Sequence, residues 1–418
     1  MVTATLVAAA LVAAGAAPAI GSGEARPDGP ERVSVETISL SRSGEPTGQV
    51  SLGGARMSDD GRRVVFSARS NRLMPGRVCV NTHCVYLRDR VSGRLSVVSS
   101  TSDGTPDGDR YASIRPAISG DGQFVAFAAD AAGLAPGPHP GMRLYMKNLR
   151  TGELEATLTP PAPGPGHQRA RATVRGISER GRFVAVSGSF RTGDPDVSYV
   201  YDRATGDWQP FAGPYAATSV EAMSDNADYV AYESWGGGNG VFVFERRTGR
   251  TRQVPTGPAD PEAYARVATF SGDGRLLMVT WQHYDWDTGL TDYDLVVYRS
   301  HDLNVVEVIE DSRLVALDAA STTGRYVVGS SRGASYGTEH GQTIRLDRRT
   351  GQIKLITVSP SGEPADAWSH GTDISANGKT ILFNTPASNI APEGDQPYEE
   401  GFEMKYDDLF VATLSPLR

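Results

Sequence analysis

The sequence predicts an all-β fold, a seven-bladed β-propeller of four-stranded antiparallel blades. Three observations predict it: a short phrase present in seven copies, a strand directly behind each copy, and a chain start that matches an internal strand. The phrase is apolar-Ser-x-x-Gly. It reads Met57-Ser58-Asp59-Asp60-Gly61, Ile118-Ser119-Gly120-Asp121-Gly122, Ile177-Ser178-Glu179-Arg180-Gly181 and Met223-Ser224-Asp225-Asn226-Ala227. It returns as Phe270-Ser271-Gly272-Asp273-Gly274, Ala320-Ser321-Thr322-Thr323-Gly324 and Ile374-Ser375-Ala376-Asn377-Gly378. The last positions, 61, 122, 181, 227, 274, 324 and 378, lie 61, 59, 46, 47, 50 and 54 residues apart. That period is too long for solenoid repeats of about 20–35 residues and suits blades of about 40–50 residues plus loops.

Each copy feeds a short apolar, β-branched or aromatic run, such as Phe124-Val125-Ala126-Phe127 or Tyr229-Val230-Ala231-Tyr232. These read as strands entered from a tight turn whose Gly tolerates positive φ. A second phrase follows by a strand and a loop. Val85 to Asp89 leads to Ser92-Gly93, Leu144 to Met146 leads to Thr151-Gly152, and Thr343 to Asp347 leads to Thr350-Gly351. Each is a strand ending in a hairpin turn that returns as another strand. No segment with a 3.6-residue apolar period competes, so the class is all β.

The termini predict how the ring closes. Ile38-Ser39-Leu40-Ser41-Arg42-Ser43-Gly44-Glu45-Pro46 matches Ile356-Thr357-Val358-Ser359-Pro360-Ser361-Gly362-Glu363-Pro364, a fourth strand and its exit. The chain therefore starts with a fourth strand that lacks its first three, while Leu409 to Leu414 is a third strand without a fourth. Pairing the two completes the last blade and removes an open sheet edge. The Ser119 to Phe127 phrase, with the Thr-Gly hairpin at Gly152, resembles the WD40-like PD40 repeats of TolB-type propellers. The resemblance spans Val33 to Leu414 and implies a propeller. It leaves activity open, since such repeats occur in translocation proteins, peptidase propeller domains and polysaccharide-degrading enzymes.

Residues 1–30 read as a signal peptide and short linker, and residues 31–418 as the propeller. Residues 4–21 are an Ala/Val/Leu/Gly run ending in Ala17-Pro18-Ala19, suited to cleavage, although no Lys or Arg precedes Arg26. Gly15 and Pro18 make it a poor membrane span. A secreted or envelope-associated monomer is expected, with no transmembrane segment after cleavage. The net charge of −8 and pI near 5.5 argue against a nucleic-acid partner. In an exported chain, Cys79 and Cys84 suggest one disulfide; a zinc site with His83 lacks a fourth ligand in reach.

Motifs for catalysis are weak. Gly333-Ala334-Ser335-Tyr336-Gly337 is a formal G-x-S-x-G, but it falls in a loop with no helix to follow. No catalytic residue and no cofactor are expected. Asp285, Asp287, Asp292 and Asp294 imitate a calcium loop, and calcium is the metal such a loop would suit. Its twelfth position, however, is Val296 rather than Glu. Loop length says more. The tight turns share one face, whereas the long loops 69–83, 128–142, 282–293 and 385–407 share the other with the links 101–112, 158–171, 253–264 and 359–369. Binding residues concentrate on long loops held by rigid scaffolds. Aromatics Tyr111, Tyr215, Tyr264 and Trp368 stand near the ends of links. Arg115, Arg175, Glu221, Arg266, Asp318, His370 and Asp373 interrupt the innermost strands behind them. The expected site is a mixed-charge funnel with an aromatic rim, made of Tyr111, Arg115, Arg175, Glu221, Tyr264, Arg266, Asp318, Trp368 and His370. Its expected ligand is a protein or carbohydrate, bound without catalysis. The alternative is a hydrolase or lyase acting on an extracellular polymer, and the simplest competing account is a wet channel with no ligand.

Overall fold

The chain forms seven four-stranded antiparallel sheets. The computed structural model describes residues 31–41, 43–44, 50–68, 73–74, 83–106, 115–131, 133–135, 142–157, 171–189, 197–211, 217–235, 240–255, 263–284, 291–391 and 408–417. The first strand, β1 (Glu31–Thr37), belongs to the last blade. Blade one is β2 (Val50–Met57), β3 (Arg63–Ala68), β4 (Cys84–Asp89) and β5 (Leu95–Val97). Blade two is β6 (Ala117–Ile118), β7 (Phe124–Ala129), β8 (Arg143–Asn148) and β9 (Leu154–Ala156). Blade three is β10 (Arg171–Ile177), β11 (Phe183–Ser189), β12 (Val197–Asp202) and β13 (Asp207–Phe211). Blade four is β14 (Ala217–Met223), β15 (Tyr229–Trp235), β16 (Gly240–Glu245) and β17 (Arg250–Gln253). Blade five is β18 (Tyr264–Phe270), β19 (Leu276–Tyr284), β20 (Thr291–Arg299) and β21 (Val305–Ile309). Blade six is β22 (Ala316–Ala320), β23 (Tyr326–Ser331), β24 (Gln342–Asp347) and β25 (Gln352–Leu355). Blade seven is β26 (His370–Ile374), β27 (Thr380–Thr385) and β28 (Asp408–Pro416), completed by β1.

The closure is as expected. β1 runs antiparallel to β28, with Val33 opposite Leu414, Val35 opposite Ala412 and Thr37 opposite Phe410. The Ile38 amide donates to the Leu409 carbonyl at 2.7 Å, and the Ser39 hydroxyl donates to Asp408 at 2.7 Å. Glu31 adds a salt bridge to Arg345 of blade six, so the seam ties two blades at once.

The repeated phrase has one physical reason in all copies. Its Ser hydroxyl accepts the amide five residues on, as in Phe124 to Ser119 at 2.9 Å and Tyr326 to Ser321 at 3.0 Å. Where Asp or Asn stands two residues later, the same hydroxyl donates to it, as in Ser58 to Asp60 at 2.6 Å. The final position is left-handed in every copy, which favours Gly. Ala227 is the exception, with φ of 55°. Ala227→Gly is therefore expected to stabilise the protein by up to about 1 kcal/mol, because relief of left-handed strain outweighs one lost methyl contact. Denaturant melts check this, and a net loss would show that the buried methyl dominates.

Between the second and third strands, aromatic pairs fill the blade cores. Phe66 stacks on Tyr86, Phe127 on Tyr145, Tyr232 on Phe242 and Phe383 on Phe410, all directly opposite in register. An Arg placed after the third strand clamps the junctions. Arg203 pairs with Glu155 at 2.8 Å and covers the Phe124 ring, and Arg246 covers the Phe183 ring. Around the axis, backbone amides bond from one phrase to the next. They run from Asp59 to Gly120, Asp121 to Glu179, Glu179 to Asp225, Asp273 to Thr322, Thr322 to Ala376 and Ala376 back to Asp59. Among the described residues these bonds span six of the seven blade junctions.

Candidate functional site

The innermost strands line the axis, and a bulge decides what they present to it. In β10, Val174 and Gly176 oppose consecutive partners, so Arg175 is an extra, unpaired residue. The same slip makes Glu221 the extra residue in β14, Arg266 in β18, Asp318 in β22 and Thr372 in β26. An unpaired residue on a bulged strand is freed from the ladder and re-aimed. Four charged residues expected from sequence thus owe their position to one backbone device.

The inner strands run from the long-loop face towards the tight-turn face, which orders the site along the axis. At the mouth, the Trp368 and His370 rings lie 4.9 Å apart, and the His370 Nδ1 is 3.3 Å from the Ser330 hydroxyl. Burial holds His370 below its usual pKa and favours the neutral ring. Tyr264 stands on the same face, 63% exposed. Deeper in, a cavity of about 150 Å3 is lined by Arg56, Arg175, Glu221, Asp318 and Asp373, among others. Arg56 donates to the Ala55 and Thr372 carbonyls at 2.8 and 3.2 Å. Asp373 accepts the Met57 amide at 2.7 Å and the Ile374 amide at 2.9 Å. At the far end the residue after each phrase Ser contributes Asp59, Glu179 and Asp225. Gly120 and Gly272 occupy that position in the next blades, where a Cβ would collide with the Asp59 and Asp225 carboxylates.

Burial acts most on these charges, and their neighbours add to it or oppose it. Burial lowers the pKa of Arg115 and Arg175, and neighbouring guanidiniums lower both further, whereas Glu221 works the other way. Burial raises Glu221 against the pull of Arg175. Asp318 is pushed up to about 7 by burial, opposed by Arg56. Burial also raises Asp373. At the far end burial, with Asp373 and Glu179 adding, lifts Asp59 to about 6. Burial and then the field of Asp59 lift Asp225 to about 8.

These raised carboxylates have a stability consequence. Asp225 holds a proton in the folded state at pH values where the unfolded chain, near 3.8, has lost it. Its contribution is complete below about pH 4 and is lost as pH rises through about 8. Asp225→Asn is expected to gain on the wild type by on the order of 2 kcal/mol between acidic and alkaline buffer, discounted for water in the channel. Melting curves from about pH 5 to about pH 9 check it; parallel curves would refute it.

The structure brings Arg115, Arg175, Glu221 and Asp318 together around the axis and sets Trp368 and His370 at the mouth, with Tyr264 further out. Tyr111, Tyr215 and Cys79 lie outside the described residues, as does the side chain of Arg266. Cys84 is buried at the start of β4. Of the calcium-like loop, 285–290 lie outside the described residues; Asp294 pairs with His283 at 3.0 Å and accepts the Asp311 amide at 3.1 Å. The G-x-S-x-G is a single 3-10 turn, Gly333–Tyr336, with Ser335 exposed. Its first Gly is there because a Cβ would meet the Thr338 and His340 backbone. Among the described residues no three His, Cys, Asp or Glu side chains converge as metal ligands. No helix among them is long and apolar enough to cross a membrane.

Sequence reasoning missed Arg56, Asp59, Glu179 and Asp225. Aligning the copies would have shown them: the residue after Ser varies only among acidic, small and hydroxylated types, and Arg56 holds the place of Asp373.

No protein-family model matches the chain. No curated protein matches it either. Solved structures do. An oligogalacturonate lyase in complex with manganese superposes with a TM-score of 0.59 at 13% identity, covering 93% of this chain and 98% of that one. Oligogalacturonate lyase from Vibrio parahaemolyticus gives 0.57 at 12% identity, with the same coverage. TolB from Acinetobacter baumannii gives 0.42 at 14% identity over 71% of this chain and 64% of its own, too loose to bear on function. At these identities the likenesses show the fold alone: this chain is similar to other β-propellers, seven-bladed and closed by its own first strand.

Proposed function

We propose that the protein is a non-catalytic binding module that takes an end of a glycan through its long-loop face into the channel. One observation carries this reading: bulges in the innermost strands bring Arg175, Glu221 and Asp318 to one cavity, on strands that start from the face where Trp368 and His370 stand. Flat rings at a mouth suit the faces of sugar rings, and convergent polar groups below supply specificity. The small-residue run at 4–21 supports export to the envelope or beyond, and export supports a Cys79–Cys84 disulfide.

Glycan arrays test it. Trp368→Ala and Arg175→Ala are each expected to weaken retention by about tenfold or more, with melting temperatures close to wild type. A large loss of folding with unchanged retention would make both residues structural.

A second reading is a lyase acting on an acidic polysaccharide. It is favoured by guanidiniums sharing a cavity with Asp318, raised to about 7, and Glu221, raised by burial, since the former would neutralise a substrate carboxylate and the latter would exchange a proton. Two solved structures of this shape are named oligogalacturonate lyases. Elimination would create a carbon–carbon double bond, so rising ultraviolet absorbance with an acidic oligosaccharide would favour this reading over the first.

A further inference from the structure

We propose that the axial cavity holds the ammonium group of an amino sugar, with the Asp318 carboxylate as its acceptor. The inference rests on the glycan-binding reading and specifies its ligand.

Charge is the first support. Five carboxylates, those of Asp59, Glu221, Asp225, Asp318 and Asp373, line the cavity against the two guanidiniums of Arg56 and Arg175. Both guanidiniums spend their hydrogen bonds elsewhere, Arg56 on the Ala55 and Thr372 carbonyls and Arg175 on the Ser219 hydroxyl. Among the described residues no salt bridge joins either arginine to any of the five. The neighbours that act most on Asp59 and Asp225 are other carboxylates. A cation placed among them offsets both their mutual repulsion and their loss of water.

The second support is an orphaned acceptor. Asp318 Oδ2 lines this cavity, buried and with no hydrogen-bond partner among the described residues. Gly371 leaves room for it, since a Cβ there would come within 2.9 Å of that oxygen. A buried acceptor left unmade is costly, and native proteins rarely keep one without a reason. An ammonium brings three donors and makes a charge-assisted bond to a carboxylate.

An orphaned donor in the same cavity selects the carrier. Arg175 Nε is buried with no partner among the described residues. A lysine side chain brings no acceptor beside its ammonium, whereas an amino sugar carries hydroxyl oxygens next to its amine. At about 150 Å3 the cavity falls below the range of sites for drug-sized ligands, about 300–1,000 Å3, so it holds one end unit. A metal ion suits it less well. Coordination needs ligand oxygens converging to about 2.0–2.6 Å, and among the described residues no three such side chains converge. An ammonium is held at hydrogen-bond distance and by the field of carboxylates further off.

Titration calorimetry of the whole chain at about pH 7, where an amine keeps most of its protons, tests the subsite. The probes are glucosamine, N-acetylglucosamine, a short lysine peptide and calcium chloride. Glucosamine is expected to bind at least about tenfold more tightly than N-acetylglucosamine, whose amide carries no charge. Asp318→Asn is expected to remove that preference and leave N-acetylglucosamine unaffected. Asp59→Asn takes one charge from the same cavity and is expected to lower the preference too; it carries the test if Asp318→Asn does not fold. Equal binding of both sugars, with indifferent variants, would overturn the ammonium subsite and leave glycan binding intact. Asp318-dependent binding of the lysine peptide without glucosamine would overturn the sugar as carrier, and such binding of calcium would overturn the amine. No binding of any probe, together with silent glycan arrays, would overturn this inference and the reading beneath it.

Discussion

Gly378→Ala is expected to destabilise the protein by about 3–5 kcal/mol, the sum of left-handed strain and overpacking. Gly378 has φ of +72°, and a Cβ there would collide with Cδ2, Cγ and Cβ of Tyr326. That ring cannot retreat easily, since Arg345 stacks on it at 4.4 Å and donates to the Gly378 carbonyl at 2.9 Å. Gly351 provides the control. Its φ of +70° is nearly the same, but a Cβ there meets nothing within 4 Å. Gly351→Ala should cost only the backbone share, about 1–2 kcal/mol. Denaturant unfolding of the pair separates the two contributions, and equal losses would show that packing at the junction of blades six and seven adds nothing.

Removing residues 31–37 is expected to abolish most of the stability, which for a domain is about 5–15 kcal/mol. The deletion exposes the whole edge of β28 and strips Val33 and Val35 from the core they pack against. It also leaves Arg345 buried without its Glu31 partner, and takes from Lys354 a carbonyl bonded at 3.0 Å. Circular dichroism and gel filtration should show a lower melting temperature and self-association through the bare edge. A synthetic peptide of residues 31–37 should restore part of the transition. A truncated chain that melts like the full one would mean the ring holds without its seam.

The architecture was legible because its signals are local. A Ser hydroxyl that caps its own turn and a left-handed Gly three residues on must both be written into the chain, so all seven copies could be read. The seam was legible for a related reason: Ile38 to Pro46 copies Ile356 to Pro364 almost letter by letter. The site was only partly legible. Arg175, Glu221 and Asp318 stood out as charges among small apolar neighbours, but their aim depends on a slip against the partner strand, and register is not visible in one strand alone. Asp59 and Glu179 are variable letters of the repeated phrase, and nothing in a single copy marks them. Only the ring brings equal positions of different copies face to face, so charges spread over more than a hundred residues of sequence become neighbours. Asp294 stood out only as part of a calcium-like loop, whereas the β19–β20 ladder sets it 3.0 Å from His283.

The amides that pass from phrase to phrase around the axis act as an inextensible hoop. Dilating that pole would stretch several of them at once. That pole therefore resists widening: any change of its bore needs several of these bonds to break together.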